Sequence, residues 1–198
     1  MTQSKTVFLI RHARTESNKT GIWRCGKGDP ILPEGKEEIL RASRTLKDLA
    51  CSTIMSSEMV RAVQTASLLS LYTGISLGHA MGEFNERGCG AIDGLTYDDI
   101  YRKYGFRMDT ILTEKLDSVP GAESLSSFTE RVIGGLEKVA VSPVERPCIV
   151  THGGVMALIK RLYGNDSNVT RFQNCSVLPV FIRLNESHPV IEVDSLIL

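Results

Sequence analysis

Apolar positions in this chain fall into two rhythms. Val7-Phe8-Leu9-Ile10 and Cys148-Ile149-Val150 are uninterrupted runs, the pattern of strands covered on both faces. Thr53-Ile54-Met55 is a third short run of this kind. Between them the spacing changes to three and four residues, which predicts helices. Ile39, Ala42, Leu46 and Leu49 define one helix beginning near Glu34. Ala62, Val63, Ala66 and Leu69 define the inward face of a second, from about Glu58 to Thr73, which Gly74 ends. Leu125, Phe128, Val132, Leu136 and Val139 define a third; Val155, Leu158, Ile159 and Leu162 define a fourth. The third contains Gly134 and Gly135, each costing about 1 kcal/mol relative to Ala, an expense that close backbone packing would explain. A short helix is expected at Thr96–Tyr104, stopped by Gly105, and an edge strand at Ile75–His79. Val177–Leu184 and Pro189–Val193 read as a closing β-hairpin around Asn185-Glu186-Ser187.

Two stretches lack either rhythm. Residues 12–33 form a long loop rich in Gly, Pro and charge, and loops of that length are usually functional. Residues 105–124 show little pattern and are expected to form a mobile cover. The alternation of strands and helices argues for an α/β sandwich with a largely parallel sheet. At 198 residues without repeat or linker, a single domain over 1–198 is expected.

Lys+Arg and Asp+Glu both number 23, so the basic excess of a nucleic-acid binder is missing. The apolar runs are far too short for a membrane span. The segment Met1–Thr6 has no signal-peptide pattern, and a cytoplasmic protein is expected. The cysteines are Cys25, Cys51, Cys89, Cys148 and Cys175: an odd number, no two close in sequence. Reduced thiols are therefore expected rather than a disulfide framework or a metal site. Cys25 and Cys89 lie in loops near the proposed site; they are read first as small hydrophobes, with inhibition by oxidation as the alternative.

The chemistry collects at the ends of the apolar runs. Val7–Ile10 leads into Arg11-His12, and Cys148–Val150 leads into Thr151-His152-Gly153-Gly154. In open α/β sheets, ligands bind outside the carboxyl ends of the strands. Two strand-end histidines suggest one shared site. A buried Arg-His pair there needs an anion or counter-ion, because unpaired buried charge is costly. Arg61, near the start of its helix, adds a further cation with the planar fork that suits phosphate. Gly153-Gly154 opens a helix whose free N–H groups favour an anion.

Four ordered blocks resemble the histidine phosphatase superfamily, also called phosphoglycerate mutase-like. Arg11-His12-Ala13, Thr15 and Asn18 resemble its first signature, with Ala13 where Gly is commonest; that change is mild only at negative φ. Ser56-Ser57-Glu58-Met59-Val60-Arg61-Ala62, with Thr65-Ala66, resembles the second block. Phe84-Asn85-Glu86-Arg87, with Gly90 and Gly94-Leu95, resembles the proton-donor block, and Thr151–Gly154 the second-histidine block. Pro120–Ser124 resembles an element that precedes a helix. The resemblance implies a three-layer α/β/α sandwich with a mostly parallel central sheet. It implies His12 as nucleophile forming a phosphohistidine, Glu86 as proton donor, and His152, Arg11 and Arg61 around the phosphoryl group. Asn18 and Gly153 are expected to touch phosphate. Arg24 and Arg87, with Arg14 and Lys27, are candidates for the rest of the substrate, and equally for solvated charges. Trp23 is a candidate for stacking or for packing. His79 and His188 match no block and are read as surface or strand-edge residues.

The resemblance implies no metal or cofactor. Its two main activities are phosphatase and mutase, and a catalytically silent module is a third reading. Mutases of the family carry a longer insertion between proton donor and second histidine, whereas only 65 residues separate Glu86 from His152 here. Without closure against water, hydrolysis should win. A metal-independent phosphatase acting on a small phosphomonoester, or on a phosphoprotein, is therefore expected. No feature specifies oligomeric state.

Overall fold

The Val7–Ile10 run forms the middle of β1 (Gln3–Arg11). The other strands are β2 (Thr53–Ser56), β3 (Ser76–Ala80), β4 (Pro147–Thr151), β5 (Val177–Leu184) and β6 (Pro189–Val193). A computed structural model describes residues 3–107, 112–164, 172–184 and 189–193. The strands form one sheet in the order β3-β2-β4-β1-β5-β6. The β1–β4, β2–β4 and β2–β3 pairs are parallel, while β1–β5 and β5–β6 are antiparallel, so the sheet is mostly parallel.

Helices lie on both faces because side chains alternate along a strand. Val7 and Leu9 of β1 pack with Phe128, Val132 and Leu136 of α5 (Leu125–Val141) and with Val155 and Ile159 of α6 (Gly153–Tyr163). Phe8 and Ile10 pack with Ile39, Ala42 and Leu46 of α2 (Gly35–Asp48) and with Ala62, Ala66 and Leu69 of α3 (Val60–Thr73). All four β1 side chains are essentially inaccessible, which is why the run has no polar interruption. Each such side chain contributes about 1.5–3 kcal/mol on burial. This is the expected three-layer α/β/α arrangement. Among the described residues no helix is long and apolar enough to cross a membrane.

Several local expectations need correction. The 12–33 loop contains a short helix, α1 (Glu16–Thr20), which begins with a reciprocal Thr15/Asn18 cap. The short helix expected from Thr96 needs no such correction: α4 (Tyr97–Tyr104) is capped by Thr96 and stopped by Gly105, at φ of 68°. Val63 and Leu162 are 39% and 46% exposed, each lying outside the apolar stripe of its helix. Residues 112–124 are packed, because Leu116 and Val119 join Trp23, Cys25, Cys89, Ile92, Ile100 and Phe106 in a third cluster. Gly135 is a true close approach: an added Cβ would lie 2.7 Å from the Glu83 Cβ, whereas one on Gly134 would meet nothing within 4 Å. The hairpin turn at 185–187 and His188 lie outside the described residues.

Candidate active site

The sheet register brings the two histidines together. Arg11 pairs with Thr151 across parallel β1 and β4, so His12 and His152 leave adjacent strands at the same height. The His12 N–H then donates to the Thr151 carbonyl at 2.9 Å. The two rings lie 5.2 Å apart, centroid to centroid. His12 is 4% exposed and His152 is fully buried.

The imidazoles are held in defined roles. His12 Nδ1 lies 2.8 Å from the Ala13 carbonyl, to which it can only donate, leaving Nε2 with its lone pair. Burial, followed by the Arg61 and Arg11 guanidiniums, pushes the His12 pKa well below the ordinary histidine value. Burial, then Arg61, His12, Arg11 and Arg131, does the same to His152. His152 Nε2 is 2.7 Å from the Ser57 hydroxyl. Its buried Nδ1 has no hydrogen-bond partner among the described residues.

Cations and the carboxylate surround this pair. Arg61, in the first turn of α3, is 2% exposed. Its Nη1 donates to the Gly26 and Gly28 carbonyls at 2.9 and 3.2 Å. Arg11 donates through Nη1 to the Phe172 carbonyl. Its guanidinium runs past Gly153, where an added Cβ would lie 3.6 Å from Nε. Glu86 accepts from its neighbour's backbone, Arg87 N–H, and from the Gly154 N–H, each at 3.0 Å. The first turn of α6 is thus partly occupied by the carboxylate itself.

A cavity of about 410 Å³ opens onto these groups. Arg11, His12, Asn18, Arg24, Arg61, Glu86 and Gly153 line it, so seven of the nine expected site residues share one space. His152 stands behind it, against His12 and Ser57. Arg14 lines the cavity while bridging Glu38, and Trp23 lines it at 5% exposure. Lys27 bridges Glu58 at 75% exposure and does not line the wall. His79 is exposed on edge strand β3, as expected.

Ala13 is unstrained, since it is absent from the residues with positive φ. Its N–H donates to Thr65 Oγ1 at 3.0 Å. Its methyl lies 3.2 Å from where a Cβ on Gly35 would stand, so Gly35 makes room for the extra carbon.

The histidine phosphatase superfamily (branch 1) matches this chain over residues 7–192. The chain belongs to that superfamily. A Bacillus subtilis relative named "Uncharacterized phosphatase PhoE" is 30% identical over 174 residues, covering 85% of this chain and 83% of that protein. "Probable phosphoglycerate mutase GpmB" of Salmonella choleraesuis is 24% identical over 183 residues, covering 86% and 82%. Among solved structures, a mycobacterial glucosyl-3-phosphoglycerate phosphatase has the same fold, with a TM-score of 0.81 at 19% identity, covering 96% of this chain and 98% of that one.

At this candidate site two expectations change. Arg87 does not face the cavity. Its side chain is fully buried, donates to the Glu123 and Thr113 carbonyls at 3.0 Å, and bridges Asp117. Neighbours in sequence thus turn to different partners: Glu86 to the Gly154 N–H at the cavity, Arg87 to Glu123, Thr113 and Asp117. The cysteines also change: Cys25 and Cys89, 64 residues apart, form a disulfide. Pairing of Trp23 with Gly94 and Leu95 brings the two loops together, a contact that spacing cannot announce. Among the described residues, Cys25, Cys89 and Asp93 are the one group of potential metal ligands within mutual reach, and its two sulfurs are bonded to each other.

Sequence reasoning also missed supporting residues. Ser57 holds His152, and its place in the Ser56–Arg61 block was the available signal. Asn174 lines the cavity and donates to the His12 carbonyl and Asn18 Oδ1. Asp29 lines it too, accepting from Ser17. Arg131 of α5 grips the Glu86 loop from behind. No pattern in the chain marks the last three.

Proposed function

We propose that this protein is a metal-independent phosphatase that hydrolyses a phosphomonoester through a phosphohistidine on His12. The observation that carries this reading is the His12 ring. Its Nδ1 is committed to the Ala13 carbonyl, and burial and two arginines keep it neutral. A neutral imidazole with a directed Nε2 lone pair is a nucleophile at neutral pH.

In the first step, His12 Nε2 forms a bond to phosphorus while the ester P–O bond breaks. The leaving oxygen takes a proton from Glu86, whose carboxyl group lies on the same cavity wall. In the second, Glu86 takes a proton from water as its oxygen attacks phosphorus, and the P–N bond breaks to release phosphate and free His12. Arg11 and Arg61 offset the phosphoryl charge throughout, supplying positive charge that phosphoryl transfer requires. Ser57 Oγ accepts from the Met59 N–H, which leaves its hydroxyl to donate to His152 Nε2; in that tautomer the unpartnered Nδ1 of His152 carries the proton, a buried donor whose cost a phosphoryl oxygen would relieve. Asn18 and Gly153 stand on the wall beside them.

Phosphate release from a panel of phosphomonoesters, with a chelator present, tests this. Wild type should release phosphate and trap as an acid-labile, base-stable phosphoprotein, and His12→Ala should do neither. Loss of release on adding chelator counts against metal independence. Exchange of the phosphoryl group between phosphoglycerate hydroxyls faster than its release would instead establish a mutase.

A further inference from the structure

The cavity exceeds what a phosphoryl group and a small alcohol fill. At about 410 Å³ it lies within the size range of pockets for whole small molecules. Past His12 and Glu86, its wall continues through Lys19, Ile22, Trp23, Arg24 and Tyr97. This wall is rigidly built. The Tyr97 N–H donates to the Gly21 carbonyl at 3.2 Å, and the Trp23 N–H donates to the Leu95 carbonyl at 2.9 Å. Gly21 turns the chain beneath the tyrosine ring at φ of 70°, a conformation that favours glycine. The Trp23 indole meets the Tyr97 ring edge-on, at 6.1 Å between centroids and 68° between planes. Trp23 is wedged in the third apolar cluster, while Tyr97 remains 37% exposed. The pair therefore presents one braced aromatic surface to the ligand, with Ile22 beside it.

Charge on this wall is unevenly spent. Arg14 bridges Glu38 and Arg24 bridges Asp93. Lys19, at the last turn of α1, makes no ion pair among the described residues. A small acyclic alcohol such as glycerol would cover little of the ring surface and would leave this exposed ammonium to water. Flat aromatic rings stack favourably on such surfaces, beyond the gain from burying their area.

Resting on the phosphatase reading above, we infer that the substrate is a phosphomonoester whose leaving group carries an aromatic or heteroaromatic ring and a second anionic group. The ring lies against Tyr97 and Ile22, and the anion meets Lys19. Arg11 and Arg61 remain with the transferred phosphoryl group.

The test compares kcat/KM for carboxyphenyl, phenyl and glycerol phosphates in wild type, Tyr97→Ala, Tyr97→Phe and Lys19→Gln. Ratios between enzymes cancel the intrinsic reactivity of each ester. Tyr97→Ala should lower the phenyl-to-glycerol ratio about fivefold, and Tyr97→Phe, which keeps the ring, should retain it. Lys19→Gln should lower the carboxyphenyl-to-phenyl ratio about threefold. Ratios unchanged in Tyr97→Ala and Lys19→Gln, with phosphate still released, would overturn the substrate class and leave the phosphatase reading intact. No release from any ester would instead remove the phosphatase reading. Phenylphosphonate binding by calorimetry then decides the ring surface alone: weaker binding to Tyr97→Ala supports it, and equal binding overturns it.

Discussion

Arg131 is the residue whose removal best separates positioning from chemistry. It lies in α5, outside the cavity, yet makes five hydrogen bonds to the segments that hold Glu86. Nη1 donates to the Glu83 and Asn85 carbonyls at 2.8 Å, and Nη2 donates to the Glu86 carbonyl at 3.1 Å. Nε and Nη2 also pair with the two Glu123 oxygens at 2.6 and 2.8 Å. Glu123 in turn accepts from the Gly88 N–H at 3.1 Å, closing the loop from the other side. In Arg131→Ala, losing the carbonyl bonds costs about 1 kcal/mol each. The Glu123 pair, about one-fifth exposed, adds at most about 1 kcal/mol. The expected loss is therefore about 3–4 kcal/mol, read as a lowered urea midpoint. Catalysis should suffer separately. A reacting group displaced by on the order of 1 Å costs about a hundredfold, so kcat for an alkyl phosphate should fall between about tenfold and a hundredfold, with KM nearly unchanged. The discriminating assay is the phosphorylation burst with two esters. An alkyl leaving group needs the Glu86 proton, whereas a nitrophenolate leaves without one. The burst rate should collapse for the first and fall less than about threefold for the second. Arg131→Lys, which keeps charge but loses the fork, should be intermediate. Equal loss for both esters would show that Arg131 merely holds the fold together.

Three further outcomes are expected. His12 and His152 have lowered pKa values in the folded state, so between those values and about 6.5 the unfolded chain binds the extra protons. Their contribution is complete above about pH 6.5 and is lost as pH falls, at up to about 1.4 kcal/mol per unit for each histidine; urea melts showing constant stability from about pH 7 to pH 5 would refute it. The Cys25–Cys89 bond closes a 64-residue separation, so reduction should destabilise by up to about 4 kcal/mol on the loop-entropy estimate. A Cys25→Ser/Cys89→Ser variant should melt like the reduced protein and ignore reductant, and identical melts with and without reductant would count against the bond. Finally, Gly134→Ala should stabilise by about 1 kcal/mol, because its Cβ meets open space. Gly135→Ala should destabilise, because its Cβ would press on Glu83 and Phe84; thermal melts moving the same way for both variants would contradict this.

Legibility followed the range of the interactions concerned. The strands and main helices were readable because burial on two faces or one stripe imposes its period directly on the residue order. Ala13 shows the limit of even a good motif. Its tolerance depends on a negative φ and on Gly35, 22 positions away, leaving space. Arg87 and Arg131 show the same limit for charges. Arg87 belongs to a recognisable block yet turns to Asp117, whereas Arg131 belongs to none and reaches the Glu86 loop.

By itself, the residue order determined the α/β alternation and the two strand-end histidines, with Arg11 beside the first, whereas Arg61 and Glu86 were picked out by the resemblance of their blocks. The strand-end features are local: an apolar run forms a strand, and whatever follows it emerges at the strand's end. Tertiary structure alone decided that Ser57 meets His152, that Cys25 meets Cys89, and that Tyr97 and Lys19 share a cavity with His12. Each of these pairings joins segments distant in sequence, and its geometry depends on how the loops and helices pack against the sheet.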